Sequence, residues 1–172
     1  RKLTFGDRDG DPVWSPDDSK IAFVSRRSGN AQIYILDMRG GDAQKITSLP
    51  IAPFALKWFP DGKNIAFAAQ VNKGFDGDFK KLEELLKKRK ESKMTAKVTE
   101  NAMYRYWDRW LTDEMYPRLF KINIEDEKIT DLMPKTNNFF NLMGGVSYDI
   151  SPDGKEIAVS ANTTPPPFET TN

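Results

Sequence analysis

One short pattern occurs three times along this chain and restricts its fold more than any other feature. The first copy is Val13-Trp14-Ser15-Pro16-Asp17-Asp18-Ser19-Lys20-Ile21-Ala22-Phe23-Val24. The second is Leu56-Lys57-Trp58-Phe59-Pro60-Asp61-Gly62-Lys63-Asn64-Ile65-Ala66-Phe67-Ala68. The third is Ser147-Tyr148-Asp149-Ile150-Ser151-Pro152-Asp153-Gly154-Lys155-Glu156-Ile157-Ala158-Val159-Ser160. Each reads as a strand, a tight turn, a lysine and a second strand. Proline sets φ near about −65°, aspartate bonds its own backbone, and glycine supplies a positive φ. Asp18 stands where the other copies have glycine, and aspartate is among the few residues that tolerate the left-handed region. The strand after each turn is apolar on both faces, as expected of a strand buried on both sides.

Pro16 and Pro60 lie 44 residues apart, and Pro60 and Pro152 lie 92 apart, one such unit and 48 more. That period matches the four-stranded blade of a β-propeller. The excess predicts an insertion inside the second unit. The first unit is expected to place strands at Asp11–Ser15, Lys20–Arg26, Gln32–Asp37 and Ala43–Thr47, with turns at Arg27–Asn30 and Arg39–Asp42. The second places them at Phe54–Phe59, Asn64–Gln70, Arg118–Ile124 and Lys128–Met133, the last two joined by a turn at Glu125–Glu127. The third supplies two strands before Pro165-Pro166-Pro167, and Arg1–Phe5 reads as the last strand of an earlier unit. The expected fold is therefore all-β, a partial propeller of antiparallel blades over 1–172. Its blade segments fall at about 1–5, 11–47, 54–133 and 146–161, with a helical insertion at 72–116. Closed propellers have about four to eight blades, so the chain is expected to be part of a longer protein. An unclosed ring leaves strand edges that favour oligomerisation by edge pairing.

Within the insertion, Phe79, Leu82, Leu85 and Leu86 recur at helical spacing behind Asp78, a suitable N-cap. Glu83 and Glu84 each precede a lysine four residues on, and the basic end suits a helix C-terminus. The charge run reads as a solvated helix face, not a nucleic-acid site. Tyr104–Asp113 then packs four aromatics, two arginines and two aspartates into ten residues. One reading has the rings anchoring the insertion on its blade while the Arg and Asp side chains pair. The other has Arg105, Asp108 or Arg109 facing a cavity and holding a peptide terminus, since arginine's planar fork fits carboxylates and rings anchor interfaces. On that reading the candidate substrate-binding residues are Arg105, Trp107, Asp108, Arg109 and Trp110.

Composition closes several other routes. The 172 residues contain no cysteine and no histidine. A disulfide framework, a thiolate nucleophile and a Cys/His zinc site are excluded. So is a Ser-His-Asp triad built from this chain alone, whereas carboxylate or lysine acid–base chemistry stays open. A net charge of +1 argues against a nucleic-acid partner. No apolar run approaches the ~18 residues of a membrane span, so no membrane partner is expected. Asp7-Arg8-Asp9-Gly10-Asp11 has an Asp-x-Asp-x-Asp look, but a calcium loop would need glycine at Pro12 and glutamate at Asp18. It reads as an inter-blade turn, with a weak cation site as the lesser reading. Phosphate-loop, dinucleotide and Gly-x-Ser-x-Gly motifs are absent, and no cofactor is expected. The six methionines read as core filler. The chain opens on Arg1-Lys2-Leu3, so any targeting signal is expected outside these residues. A periplasmic and a cytoplasmic location fit equally.

The three repeats resemble those of TolB-like proteins and of the propeller domains of prolyl oligopeptidase family serine peptidases. The helical insertion, followed by Tyr106–Asp113 and Pro117–Ile122, is similar to the dipeptidyl aminopeptidase / acylaminoacyl peptidase branch, with Arg118 where a histidine often stands. The resemblance covers essentially the whole chain. It implies an N-terminal propeller that limits access of short peptides to a C-terminal α/β-hydrolase domain carrying the Ser-Asp-His triad. The parent enzyme would release dipeptides or acyl-amino acids from peptide N-termini, and this chain alone would be inactive. No triad residue carries over. Glu83-Glu84 is a glutamate pair without the aromatic surroundings of the family's N-terminus grip. The alternative is a non-enzymatic TolB-like scaffold for protein–protein interaction; a carbohydrate-active or lyase propeller is a third, weaker reading.

Overall fold

The computed structural model describes residues 4, 8–93, 96, 105–106, 109–110, 115–134, 136, 145–161 and 163. In chain order the elements are β1 (Asp9–Trp14), β2 (Lys20–Ser25), β3 (Gln32–Asp37), β4 (Gln44–Lys45), β5 (Pro53–Trp58), β6 (Asn64–Asn72), α1 (Phe79–Glu91), β7 (Arg105–Tyr106), β8 (Arg109–Trp110), β9 (Met115–Asn123), β10 (Ile129–Asp131), β11 (Ser147–Ile150) and β12 (Ile157–Ser160). Blade I is the sheet β1-β2-β3-β4, and blade II is β5-β6-β9-β10. The pair β11-β12 begins blade III, and β7-β8 forms a separate small hairpin. All pairings are antiparallel. The architecture is a partial propeller with one helical insertion. Among the described residues no helix is long and apolar enough to cross a membrane.

The two-faced apolar strands do what their sequence requires. In β6, Ile65, Phe67, Ala69 and Val71 join Ala22, Ile33 and Ile35 of blade I in one core cluster. The alternate residues, Ala66 and Ala68, join Tyr148, Leu119 and Met133 in a second cluster against blade III. Period-2 alternation thus puts each face of one strand into a different inter-blade core. Phe67 stacks on Phe120 across β6 and β9 at 5.5 Å between ring centroids, and Phe23 stacks on Tyr34 in blade I at 5.9 Å.

The turns hold as their chemistry predicts. Asp17 accepts from the Ser15 and Ser19 hydroxyls at 2.6 and 2.7 Å and from the Ser19 N–H at 3.1 Å. Asp61 accepts from the N–H groups of Lys63 and Asn64, and Asp153 from the Ser151 hydroxyl and the Lys155 N–H. Asp18 takes φ +56°, beside +63° at Gly62 and +70° at Gly154, so the three turns share one backbone shape.

Beyond the turns, β1 and β5 repeat one irregularity. Each bulges at the same place, between Gly10 and Val13 and between Phe54 and Lys57. Asp11 and Ala55, 44 residues apart in sequence, take φ +51° and +52° there.

Helix α1 is capped by Asp78, which accepts from the N–H groups of Lys80 and Lys81. Leu82 is buried, and Phe79, Leu85 and Leu86 pack against the larger core cluster. Its basic last turn suits the negative end of the helix dipole.

Several boundaries differ from expectation. β1 starts at Asp9, so Asp9-Gly10-Asp11 is strand and not an inter-blade turn. β4 keeps only two residues; after one more backbone bond, from the Ile46 N–H to the Ile33 carbonyl at 3.0 Å, the side chains of Thr47 and Gln32 take over the hydrogen bonding. β6 and β9 pair over nine residues each, out to Asn72 and Met115. The expected strand at Arg1–Phe5 lies outside the described residues except for Thr4.

Candidate functional site

Antiparallel order sends the strand connections alternately to two ends of the blades. One end carries the Pro-Asp turns. The other gathers the start of β1, the β2–β3 connection, the β4–β5 connection and the insertion between β6 and β9. A cleft of about 610 Å³ opens at this second end, where blade I meets blade II. Blade I contributes Arg8, Asp9, Gly10 and Asp11 from the β1 side and Val24, Arg26, Gly29 and Ala31 from the β2–β3 side. Ala52, Pro53 and Phe54 close it from blade II. Pro53 opens the edge strand β5, a position where a missing N–H is tolerated.

Charges of both signs border the cleft. Arg8 and Arg26 are exposed and lie side by side, since the Arg26 N–H donates to the Arg8 carbonyl at 3.2 Å. The Asp9 side chain is 9% exposed, and its Oδ2 pairs with Arg27 Nη2 at 2.8 Å. Its Oδ1 is buried and accepts no hydrogen bond of good geometry among the described residues. Burial works to raise the Asp9 pKa, but the Ser25 hydroxyl, Arg27 and the Thr4 hydroxyl together outweigh it and hold the carboxyl below its usual range. Arg27 is fixed in turn: its Nε donates to Ser25 Oγ at 3.0 Å, and its guanidinium lies 5.2 and 4.9 Å from the Phe23 and Tyr34 ring centroids. The Asp9 carboxylate is thus neutralised by Arg27, Arg8 and Arg26 stay solvated nearby, and there is no metal-binding cluster among the described residues. Asp9, which a cation site at Asp7–Asp11 would have used, is committed to Arg27.

The residues singled out in the insertion fall differently. β7 and β8 pair Arg105 with Trp110 and Tyr106 with Arg109. Trp107 and Asp108 lie outside the described residues. Glu83 and Glu84 sit on the exposed side of α1. Arg118 is buried; it pairs with Asp131 at 2.9 Å, donates to the carbonyls of Phe75 and Thr136, and lies over the Phe75 ring. It therefore ties the start of the insertion to β9 and β10. The cleft residues Asp9 and Arg26 had one sequence signal, the charged Arg8–Asp11 segment that opens β1 and the Arg26-Arg27-Ser28-Gly29 segment that follows β2, but no local pattern shows that these segments meet.

The family model for the TolB beta propeller domain matches residues 1–102. The chain is 30% identical over 158 residues to the uncharacterized peptidase YuxL of Bacillus subtilis, covering 91% of this chain and 22% of that protein. It is 27% identical over 172 residues to dipeptidyl-peptidase 5 of Porphyromonas endodontalis, covering 94% of this chain and 23% of that one. The uncomplexed acylaminoacyl peptidase of Pyrococcus horikoshii superposes with a TM-score of 0.51 at 17% identity, over 74% of this chain and 18% of that chain, a likeness of fold. The chain thus spans less than a quarter of the length of these curated relatives.

Proposed function

This chain belongs to the TolB beta propeller domain family, and from that premise we propose that it is a non-catalytic propeller segment serving as a scaffold for protein–protein interaction. The observation that carries this reading is the cleft at the connection end of blades I and II. It combines an apolar floor with both signs of charge and sits where connections of variable length converge. The sequence adds that no imidazole exists for acyl-transfer chemistry.

A second reading is favoured by the names of two relatives, a peptidase and a dipeptidyl-peptidase, of which the chain spans 22% and 23%. On it the same blades gate access of short peptides to a separate α/β-hydrolase domain. The parent releases dipeptides or acyl-amino acids from peptide N-termini, and Arg105, Trp107, Asp108, Arg109 and Trp110 of the insertion hold the peptide. Two assays on the natural full-length polypeptide separate the readings. Hydrolysis of dipeptidyl or acyl-alanine chromogenic substrates supports gating and overturns a non-enzymatic scaffold. No hydrolysis, with binding to a protein partner that is lost in R8E/R26E, supports the scaffold. Turnover by the purified 172-residue chain overturns both.

A further inference from the structure

The inner strands of successive blades are linked by side chains that reach backwards along the chain. Trp58 of β5 donates its indole N–H to the Val13 carbonyl of β1 at 3.1 Å. Tyr148 of β11 donates its hydroxyl to the Ala55 carbonyl of β5, beside the Lys57–Asp149 ion pair. Each inner strand thus hands a donor to the inner strand of the blade before it. The two donors stand at different places in the repeat, since Tyr148 aligns with Leu56 and Ile150 with Trp58, so the Trp58 contact is the template for Trp14. Trp14 stands 44 residues before Trp58, beside an identical bulge and before the same Pro-Asp turn. Val13 packs into the core shared with blade II, so alternation sends Trp14 to the opposite face of blade I.

That face is built like the one blade II uses for docking. Phe67 pairs with Phe120 and Ile65 with Ile122 across β6 and β9; Phe23 pairs with Tyr34 and Ile21 with Leu36 across β2 and β3, in the same register. The blade II set packs on blade I. The blade I set forms its own buried cluster, which leaves Trp14, 53% exposed, as the open part of the face. Its counterpart Trp58 is 9% exposed.

We propose that Trp14 is a blade-docking residue whose partner is the inner strand of a further propeller blade preceding β1 around the ring. The indole N–H donates to the carbonyl of the residue equivalent to Val13 in that blade. A second copy of this chain fits less well than a covalent neighbour, because the Trp58 and Tyr148 contacts join consecutive units of one chain and the curated relatives are more than four times the length spanned here. This inference is independent of whether the parent is a scaffold or a peptidase.

The test labels tryptophan with 5-fluorotryptophan in this chain and in the natural full-length polypeptide. The Trp14 fluorine resonance is assigned by W14F, and the shift on moving from H₂O to D₂O is read for each residue. Trp14 is expected to show a large solvent shift in this chain and one as small as that of Trp58 in the full-length polypeptide. Trp58 stays small in both and reports that blades I and II are folded. A Trp14 shift that remains large in the full-length polypeptide overturns the proposal. So does a polypeptide with no blade before β1, or a Trp14 shift that becomes small in this chain only when the chain self-associates.

Discussion

Replacing Gln32 by leucine tests whether one buried amide holds the connection between blades I and II. Gln32 is 5% exposed at the start of β3. Its Nε2 donates to the Leu49 carbonyl at 2.9 Å, and its Oε1 accepts from the Leu49 N–H at 2.9 Å and from Thr47 Oγ1 at 2.7 Å. Thr47 Oγ1 accepts in turn from the Ile33 N–H at 2.8 Å. Leucine keeps most of the volume but strands the Leu49 N–H and carbonyl, at about 1–3 kcal/mol for each buried group. The apolar side chain returns about 1 kcal/mol of burial. The expected net loss is about 1–5 kcal/mol, against the 5–15 kcal/mol typical of a domain. Urea denaturation followed by tryptophan fluorescence measures it, and hydrogen exchange at the Leu49 amide should rise by a matching free energy. T47V breaks the same network at its other member, so Q32L/T47V should cost at least about 1 kcal/mol less than the sum of the single changes. A Q32L variant within about 0.5 kcal/mol of the parent, with an additive cycle, would refute the idea that this amide holds the connection. The connection leads into Ala52 and Pro53, which line the cleft, so its loss would also loosen the proposed binding face.

Three other outcomes follow from single features. D131N leaves the buried Arg118 guanidinium without its ionic partner and should cost about 3–5 kcal/mol in chemical denaturation, whereas breaking an exposed pair such as Lys81–Asp76 should leave the midpoint essentially where it is. D18G relieves a non-glycine residue at φ +56° and should stabilise by about 0.5–1 kcal/mol; a loss would show that the Asp18 side chain contributes more than its backbone strain. The pH profile should be flat from about 5 to 8, because the chain has no histidine. Asp9, Asp17, Asp61 and Asp153 have folded pKa values below their ordinary ones, so their stabilisation is complete above the unfolded value and disappears as pH falls below about 4. Burial, helped by the charge of Asp149, raises the Tyr148 pKa, so its contribution holds until the unfolded tyrosine ionises near about pH 10. A midpoint that moves between pH 6 and 8 would contradict this.

The blades were legible because their signals are local. The Pro-Asp-Gly turns fix where strands reverse, and Ile65-Ala66-Phe67-Ala68 shows apolar character on both faces without knowledge of a partner. The Asp78 cap and the Phe79–Leu86 spacing were legible for the same reason. Strand ends were less so. Pro117 suggests that β9 starts after it, yet β9 runs through it to pair Pro117 with Gln70. At that point β6 is its partner, and β10 pairs only with Phe120–Ile122, so the proline occupies an edge position where a missing N–H is tolerated. The cleft was not legible, because Asp9 and Arg27 lie 18 residues apart and Pro53 26 beyond Arg27. Only the stacking of blades brings them to one end.

The two ends of the blades carry different constraints, which bears on where recognition resides. At the turn end, Asp17, Asp61 and Asp153 spend their oxygens on neighbouring hydroxyls and backbone N–H groups, and three short turns share one backbone shape. Such a surface has little freedom to vary without loss of stability. At the other end the connections differ in length and content, from the short β2–β3 link to the insertion between Asn72 and Met115. Ion pairs there hold the base of these connections, the half-exposed Asp9–Arg27 and the buried Arg118–Asp131, and leave Arg8 and Arg26 solvated. A rigid base under variable connections is the arrangement in which binding residues change without disturbing the scaffold. The scaffold and gating readings both place their contacts at this end. They differ in what lies across from it, a protein partner or a hydrolase domain of the same polypeptide.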